Sequence, residues 1–326
     1  MASTSTSSFD YASQQVAIYL NGFNLIIGIP GGFLNILVFL SLKTFRENTC
    51  SFYLIIVSCL NVGQLLLGAL SRFVISGFSI DWTIMSRPYC KLRIYLFQTF
   101  SLITLTCMCL ATIDQYFATC KRVRWQKWSN ITTTRYLTAI TIIFWSIFSI
   151  LYPIYYDIVL SLTTNKLSCM NTNPTFDRYN TNFHQIIMQG FLPNFLTALF
   201  GILAYYNTKN IAYRIVPLVR RELDKQLTSM LLVQVIFNTF SLLCYNIVSI
   251  MGPYINTSKD PVVLAKFRLV QIISYSIYYF YPACPFYIYV CVSERFRRQL
   301  TYVLFVKVFK HCKRLQLAAN EVEPQP

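Results

Sequence analysis

Residues 90–120 read CKLRIYLFQTFSLITLTCMCLATIDQYFATC. The stretch is apolar over most of its length and closes on an acid, an amide and a phenol: Asp114, Gln115 and Tyr116. Crossing a hydrocarbon core of about 30 Å takes roughly 20 apolar residues as helix, and this run exceeds that. Runs of comparable length cover 16–42, 52–76, 136–156, 184–211, 226–254 and 265–291. Backbone groups in lipid must be satisfied internally, so such runs are helices. Pro30, Pro153, Pro193, Pro282 and Pro285 fall inside them, as spanning helices tolerate. Composition agrees, with 55% hydrophobic, 16% aromatic and only 12% charged residues, against about 25% charged in soluble domains. The run lengths argue against a soluble α-protein with a large core. The expected fold is an all-α membrane protein, a bundle of seven transmembrane helices over 16–291.

The formal net charge is +16, and its placement orients the bundle. Most of the 28 basic residues fall in 43–51, 121–135, 212–225 and 292–326, whereas the tail 1–15 has none. Short loops rich in Lys and Arg stay on the cytoplasmic side, so the N-terminus is expected outside and the C-terminus inside. These segments suit the anionic inner leaflet of the bilayer, and no nucleic-acid partner is expected from charge divided in this way. MASTSTSSFDYASQQ lacks a basic n-region and a cleavage site, so no removable signal peptide is expected.

Of eleven cysteines, this topology puts two on the outer side, Cys90 and Cys169. A disulfide is open to them in an oxidising compartment; two free thiols are the alternative. Cys312 follows the basic amphipathic stretch SERFRRQLTYVLFVKVFKHCK (293–313). A short eighth helix over 292–312, lying on the inner membrane surface and palmitoylated at Cys312, suits that pattern, with 313–326 a cytoplasmic tail. Asn256 opens an Asn-Thr-Ser sequon in an outer loop and is a candidate for glycosylation; Asn130-Ile131-Thr132 falls inside. With only two histidines and no Cys/His ligand spacing, no metal site or cofactor is expected. No nucleophile–base pair, carboxylate pair or phosphate loop is apparent, so the chain is not expected to be an enzyme.

With this topology the chain resembles the rhodopsin-like G-protein-coupled receptors, as a divergent member, over about 15–312. Cys90 and Asp114 are about 36 Å apart along a helix rising 1.5 Å per residue. In the family that separation lies between the disulfide cysteine and the Asp-Arg-Tyr signature, here Asp114-Gln115-Tyr116. Asn35 in GGFLNILVF, Trp145, Pro193 in FLPNF and CPFYIY (284–289) with its Pro285 match further landmarks in order. The departures are Gln115 for arginine, Asn61 for the second-helix aspartate, Cys284 for the seventh-helix asparagine and Ile288 at its tyrosine. In the sixth helix Leu242 and Cys244 stand where Trp and Pro are usual. A sodium site is not expected, since Asn61 brings no charge.

The resemblance implies a plasma-membrane receptor that binds an extracellular ligand. It would activate a heterotrimeric G protein by outward movement of the sixth helix. Phe97 stands where amine receptors carry an aspartate, and Tyr278 where opsins carry a lysine, so neither class is expected. Phe97, Gln98, Tyr245, Asn246, Gln271, Tyr275 and Tyr278 offer aromatic walls and amides. These suit a peptide or a small neutral, chemosensory type of ligand, with helix packing as the alternative for any one of them. The expected inner switch is Asp114, Gln115 and Tyr116 with Asp224, Asn61 and Pro285, with Gln115 donating to Asp224. A non-coupling decoy or trafficking protein is the second reading, motivated by the lost arginine. A transporter or channel is the third, against which stand the lack of an inverted repeat and the few intramembrane charges.

Overall fold

The computed structural model describes residues 2–41, 43–120, 122–160, 167–210, 218–255 and 260–307. Asn256, Cys312 and the tail 313–326 lie outside the described residues. Among the described residues six helices are long and apolar enough to cross a membrane. The protein is therefore an all-α, multi-pass membrane protein, with one β-hairpin added.

We label the long helices α1 (Ala2–Ser41), α2 (Thr49–Gly77), α3 (Arg87–Thr119), α4 (Ile131–Tyr155), α5 (Pro174–Lys209) and α6 (Leu218–Ile255). The seventh apolar run is not one uninterrupted helix. It divides into α7 (Pro261–Tyr278), α8 (Phe280–Ala283) and α9 (Pro285–Val292). Pro282 and Pro285 supply no N–H to the helical ladder, and the chain turns at Tyr279 and Cys284. Helix α10 (Glu294–Thr301) follows, capped by Ser293, whose side chain accepts from the Phe296 N–H. Residues 2–15, expected as a tail, instead continue α1. Neither Gly nor Pro interrupts them, and their helix is held at two points. Gln14 donates to the Gly77 carbonyl at 2.7 Å, and Asp10 pairs with Arg268 at 3.2 Å.

The stretch after α4 holds an antiparallel hairpin of β1 (Tyr156–Leu160) and β2 (Leu167–Asn171). Cys169 of β2 is bonded to Cys90 of α3, with Cα atoms 5.8 Å apart. The hairpin is thereby pinned to the head of α3. Helix α5 begins at Pro174, ahead of its apolar run, because Asn173 caps it by accepting from the Thr175 and Phe176 N–H groups.

Two buried clusters fill the bundle. One gathers Phe39, Phe45, Met108, Leu227, Tyr289 and Phe296 around the end that holds Asp114. The other joins Leu65, Leu105, Leu242, Tyr278 and Tyr281 nearer the hairpin. Small residues let the backbones approach. A Cβ on Gly28 would lie 2.9 Å from the Ala283 Cβ, so α1 and α8 meet only because that side chain is absent. The outward faces are apolar too; Ile140, Phe144 and Ile147 of α4 are all exposed, as surfaces facing lipid rather than water would be.

Candidate functional site

Two features occupy opposite ends of α3. At the hairpin end lies a cavity of about 160 Å³. Helix α3 gives it Arg93, Phe97 and Gln98, and α2 gives Gly68 and Arg72. Asn180, Gln185 and Gln189 come from α5, Tyr245 from α6, Tyr275 and Tyr278 from α7, and Tyr279 from the turn that follows. Tyr156 of β1 adds the wall that the disulfide holds in place. Burial, and then the nearby Asp177 carboxylate, push the Tyr156 phenol up to about 12, so it stays a neutral donor.

Local helix geometry places several of these groups. Residues Asn180–Phe191 of α5 form a π-helix. In an α-helix of 3.6 residues per turn, Asn180 and Gln189 would point about 180° apart. In the wider i→i+5 spiral their separation is roughly two full turns, and both reach the cavity. Helix α2 carries π turns at Leu65–Ala69 and Phe73–Gly77, on either side of Arg72. Gly68 is needed for close approach, since a Cβ there would sit 2.5 Å from Phe97 Cε2 and 2.7 Å from Tyr279 Cε1.

Within the cavity Gln189 Nε2 donates to Gln98 Oε1 at 2.7 Å. The Ser101 and Tyr278 hydroxyls are 3.2 Å apart, and the Tyr245 ring packs 4.9 Å from that of Tyr278. The Arg72 guanidinium lies 4.2 Å from the Tyr275 ring centroid. Arg93 Nη1 donates to the Leu67 carbonyl at 3.4 Å, while its buried Nε has no partner.

The cavity unites Phe97, Gln98, Tyr245, Tyr275 and Tyr278, five of the residues expected from sequence. Asn246 and Gln271 do not line it. A Cβ on Gly190 would fall 2.5 Å from Asn246 Nδ2, so that amide faces α5 instead, and Gln271 is aimed toward Gly252 of α6. Arg72, Arg93 and the α5 amides were not among the residues expected from sequence: Arg72 and the amides lie on the second and fifth helices, and Arg93 stands on the third, four residues before Phe97. A signal was present: Arg72 is the sole charge in the run 52–76, and an ionisable residue inside a membrane helix marks a functional site by default.

At the other end of α3, Asp114 is buried and faces the start of α2. Thr49 Oγ1 donates to Asp114 Oδ2 at 2.5 Å and lies 3.1 Å from Ser129 Oγ. The first turn of a helix also favours a nearby negative charge. Compensation thus comes from α2. Gln115 is 1% exposed and its Oε1 accepts from Thr228 Oγ1 of α6 at 3.3 Å. Its bond to α6 is therefore made one turn beyond Asp224, the expected acceptor. Asp224 is itself buried. Tyr116 packs on Phe200 of α5, with ring centroids 5.6 Å apart. Asn61 is buried beyond the reach of any protein hydrogen-bond partner among the described residues. Pro285 is the buried first residue of α9.

Sequence did not reveal a further link. Tyr289 Oη donates to Gln234 Oε1 at 2.5 Å, tying α9 to α6. Gln226 Oε1 of α6 accepts from Ser293 Oγ at 2.8 Å and from the Arg295 N–H at 3.2 Å. Helix α6 is thus held at its Asp224 end by α3, by α9 and by the turn into α10. No protein-family model and no curated protein matches the chain. Functional roles therefore rest on this geometry.

Proposed function

We propose that the protein is a divergent rhodopsin-like receptor of seven transmembrane helices. In this reading α7, α8 and α9 make the seventh crossing, and α10 begins the eighth helix on the inner membrane surface. The N-terminus is extracellular, and the cavity beneath the hairpin takes an extracellular ligand. The end around Asp114 is cytoplasmic, and there an outward movement of α6 opens a cleft for a heterotrimeric G protein.

One observation carries the reading. A single helix, α3, lines the cavity with Arg93, Phe97 and Gln98 and bonds α2 and α6 through Asp114 and Gln115 at its far end. A ligand shifts such an equilibrium only by its difference in affinity for the two arrangements, and a helix shared by both sites is the element to be biased. The test is expression with a panel of G-protein activation reporters, for the native chain and Gln115→Arg. Activation of at least one G protein supports the reading; silence of both versions under every ligand mixture favours the decoy. That second reading is favoured by Gln115, because a neutral amide bonded to Thr228 stands where the family keeps the arginine.

A further inference from the structure

Two guanidinium groups line the same small cavity, and neither Arg72 nor Arg93 forms an ion pair with a carboxylate among the described residues. Charges removed from bulk water are costly unless paired and hydrogen-bonded, and two like charges sharing a site add repulsion. The Tyr275 ring covers one face of Arg72 at 4.2 Å. Such an aromatic face offsets part of the cost, and the Tyr279 hydroxyl is within hydrogen-bonding reach, but neither supplies the negative charge that would pair with the guanidinium. Arg93 is less satisfied still, with one backbone acceptor at 3.4 Å and a buried Nε without a partner.

We infer that the cavity is a binding site for an organic anion, a carboxylate, sulfate or phosphate ester joined to an apolar or aromatic body. The guanidinium fork matches the two oxygens of such a head group, and charge-assisted bonds of that kind are roughly twice as strong as neutral ones. One anion between Arg72 and Arg93 relieves both charges at once. The other walls fit the body of the ligand: Phe97, Tyr245 and Tyr278 present rings, and the Gln98–Gln189 pair offers amides to a polar substituent. An apolar cavity of about 150 Å³ accepts one benzene ring, so about 160 Å³ here takes an aromatic acid or the anionic end of a longer molecule. The inference rests on the receptor reading in that it names that receptor's ligand class, and the class is anionic where the residues expected from sequence suited a peptide or a small neutral molecule.

The test uses the full chain in lipid nanodiscs, with thermal shift and calorimetry on phenylacetate, phenyl phosphate, phenylacetamide and phenethylamine. At least one of the two anions is expected to raise the melting temperature dose-dependently and to bind about tenfold or more tighter than the amide, while the amine does not bind. Arg93→Gln and Arg72→Gln should each weaken anion binding about tenfold without changing that of the amide, and Arg93→Lys should lose less. Equal binding of anions and amide, no anion binding at millimolar concentration, or unchanged affinity in Arg93→Gln would each overturn the inference. The comparison among probes needs only the native chain, so it stands even where a variant fails to fold. Anion binding with no response in the G-protein reporters would sink the receptor reading and leave the anion site intact.

Discussion

Tyr289 donates a 2.5 Å hydrogen bond to the side chain of Gln234, and both residues are fully buried. The bond joins α9 to α6 on the side of the bundle where α6 has to move if the protein signals. Tyr289→Phe removes the donor and leaves Gln234 Oε1 without it. An orphaned buried acceptor costs about 1–3 kcal/mol, whereas replacing both partners by apolar groups can be nearly neutral. We therefore expect Tyr289→Phe to lower the melting temperature of the purified protein and to raise basal reporter activity. Tyr289→Phe combined with Gln234→Leu should recover part of the lost stability. A single variant as stable as the native chain would show that the bond contributes nothing.

Gln115→Arg should lower basal activity. The native contact to Thr228 is neutral and shares its one proton with the Asp224 carbonyl at 2.8 Å, so it contributes less than about 1 kcal/mol, whereas bonds to charged groups contribute about 1.5–3 kcal/mol. An arginine at this position lies between Asp114 and the helix that carries Asp224, and it restores a charged latch to the resting state. Reporter output without ligand measures the change; a rise in basal signal contradicts the account.

Gly68→Ala should impair ligand binding more than folding. The added methyl meets Phe97 and Tyr279 at 2.5 and 2.7 Å, and ring movement into the cavity is the nearest relief. Overpacking of this kind costs about 1–3 kcal/mol. A calorimetric titration with phenylacetate, beside a melting curve, separates the two effects. Unchanged affinity would mean that the rings move away from the cavity instead.

Cys169→Ser should cost about 2–4 kcal/mol, the usual worth of a disulfide closing a long loop. It should also weaken ligand binding, because the hairpin then no longer fixes Tyr156 in the cavity wall. Reducing agent should reproduce both effects in the native chain and neither in the variant.

Much of the architecture was legible in the sequence, because lipid imposes one simple demand. Apolar runs long enough to cross must be helical, and six of them are found as helices, with α1, α5 and α6 beginning 8 to 14 residues ahead of their runs. The Cys90–Cys169 bridge was foreseen as an option because topology left only those two thiols on one side. The continuation of α1 back to Ala2 and the pairing of β1 with β2 were not foreseen, since polar segments outside lipid carry no such constraint. Their structure depends on docking contacts such as Gln14 to Gly77 and on the strand pairing.

For the candidate site, the sequence by itself determined which residues lie on α3, α6 and α7 and which end of the bundle they share, because helical rise fixes position along the axis. Only the tertiary structure decided which way those residues face. The π turns of α5 and α2 rotate Gln189 and Arg72 into the cavity, by a change in helical period that no apolar pattern records. Packing likewise turned Asn246 toward Gly190 and gave Gln115 to Thr228. Rotation about a helix axis is settled by what the neighbouring helices present, and that information is spread over the whole chain.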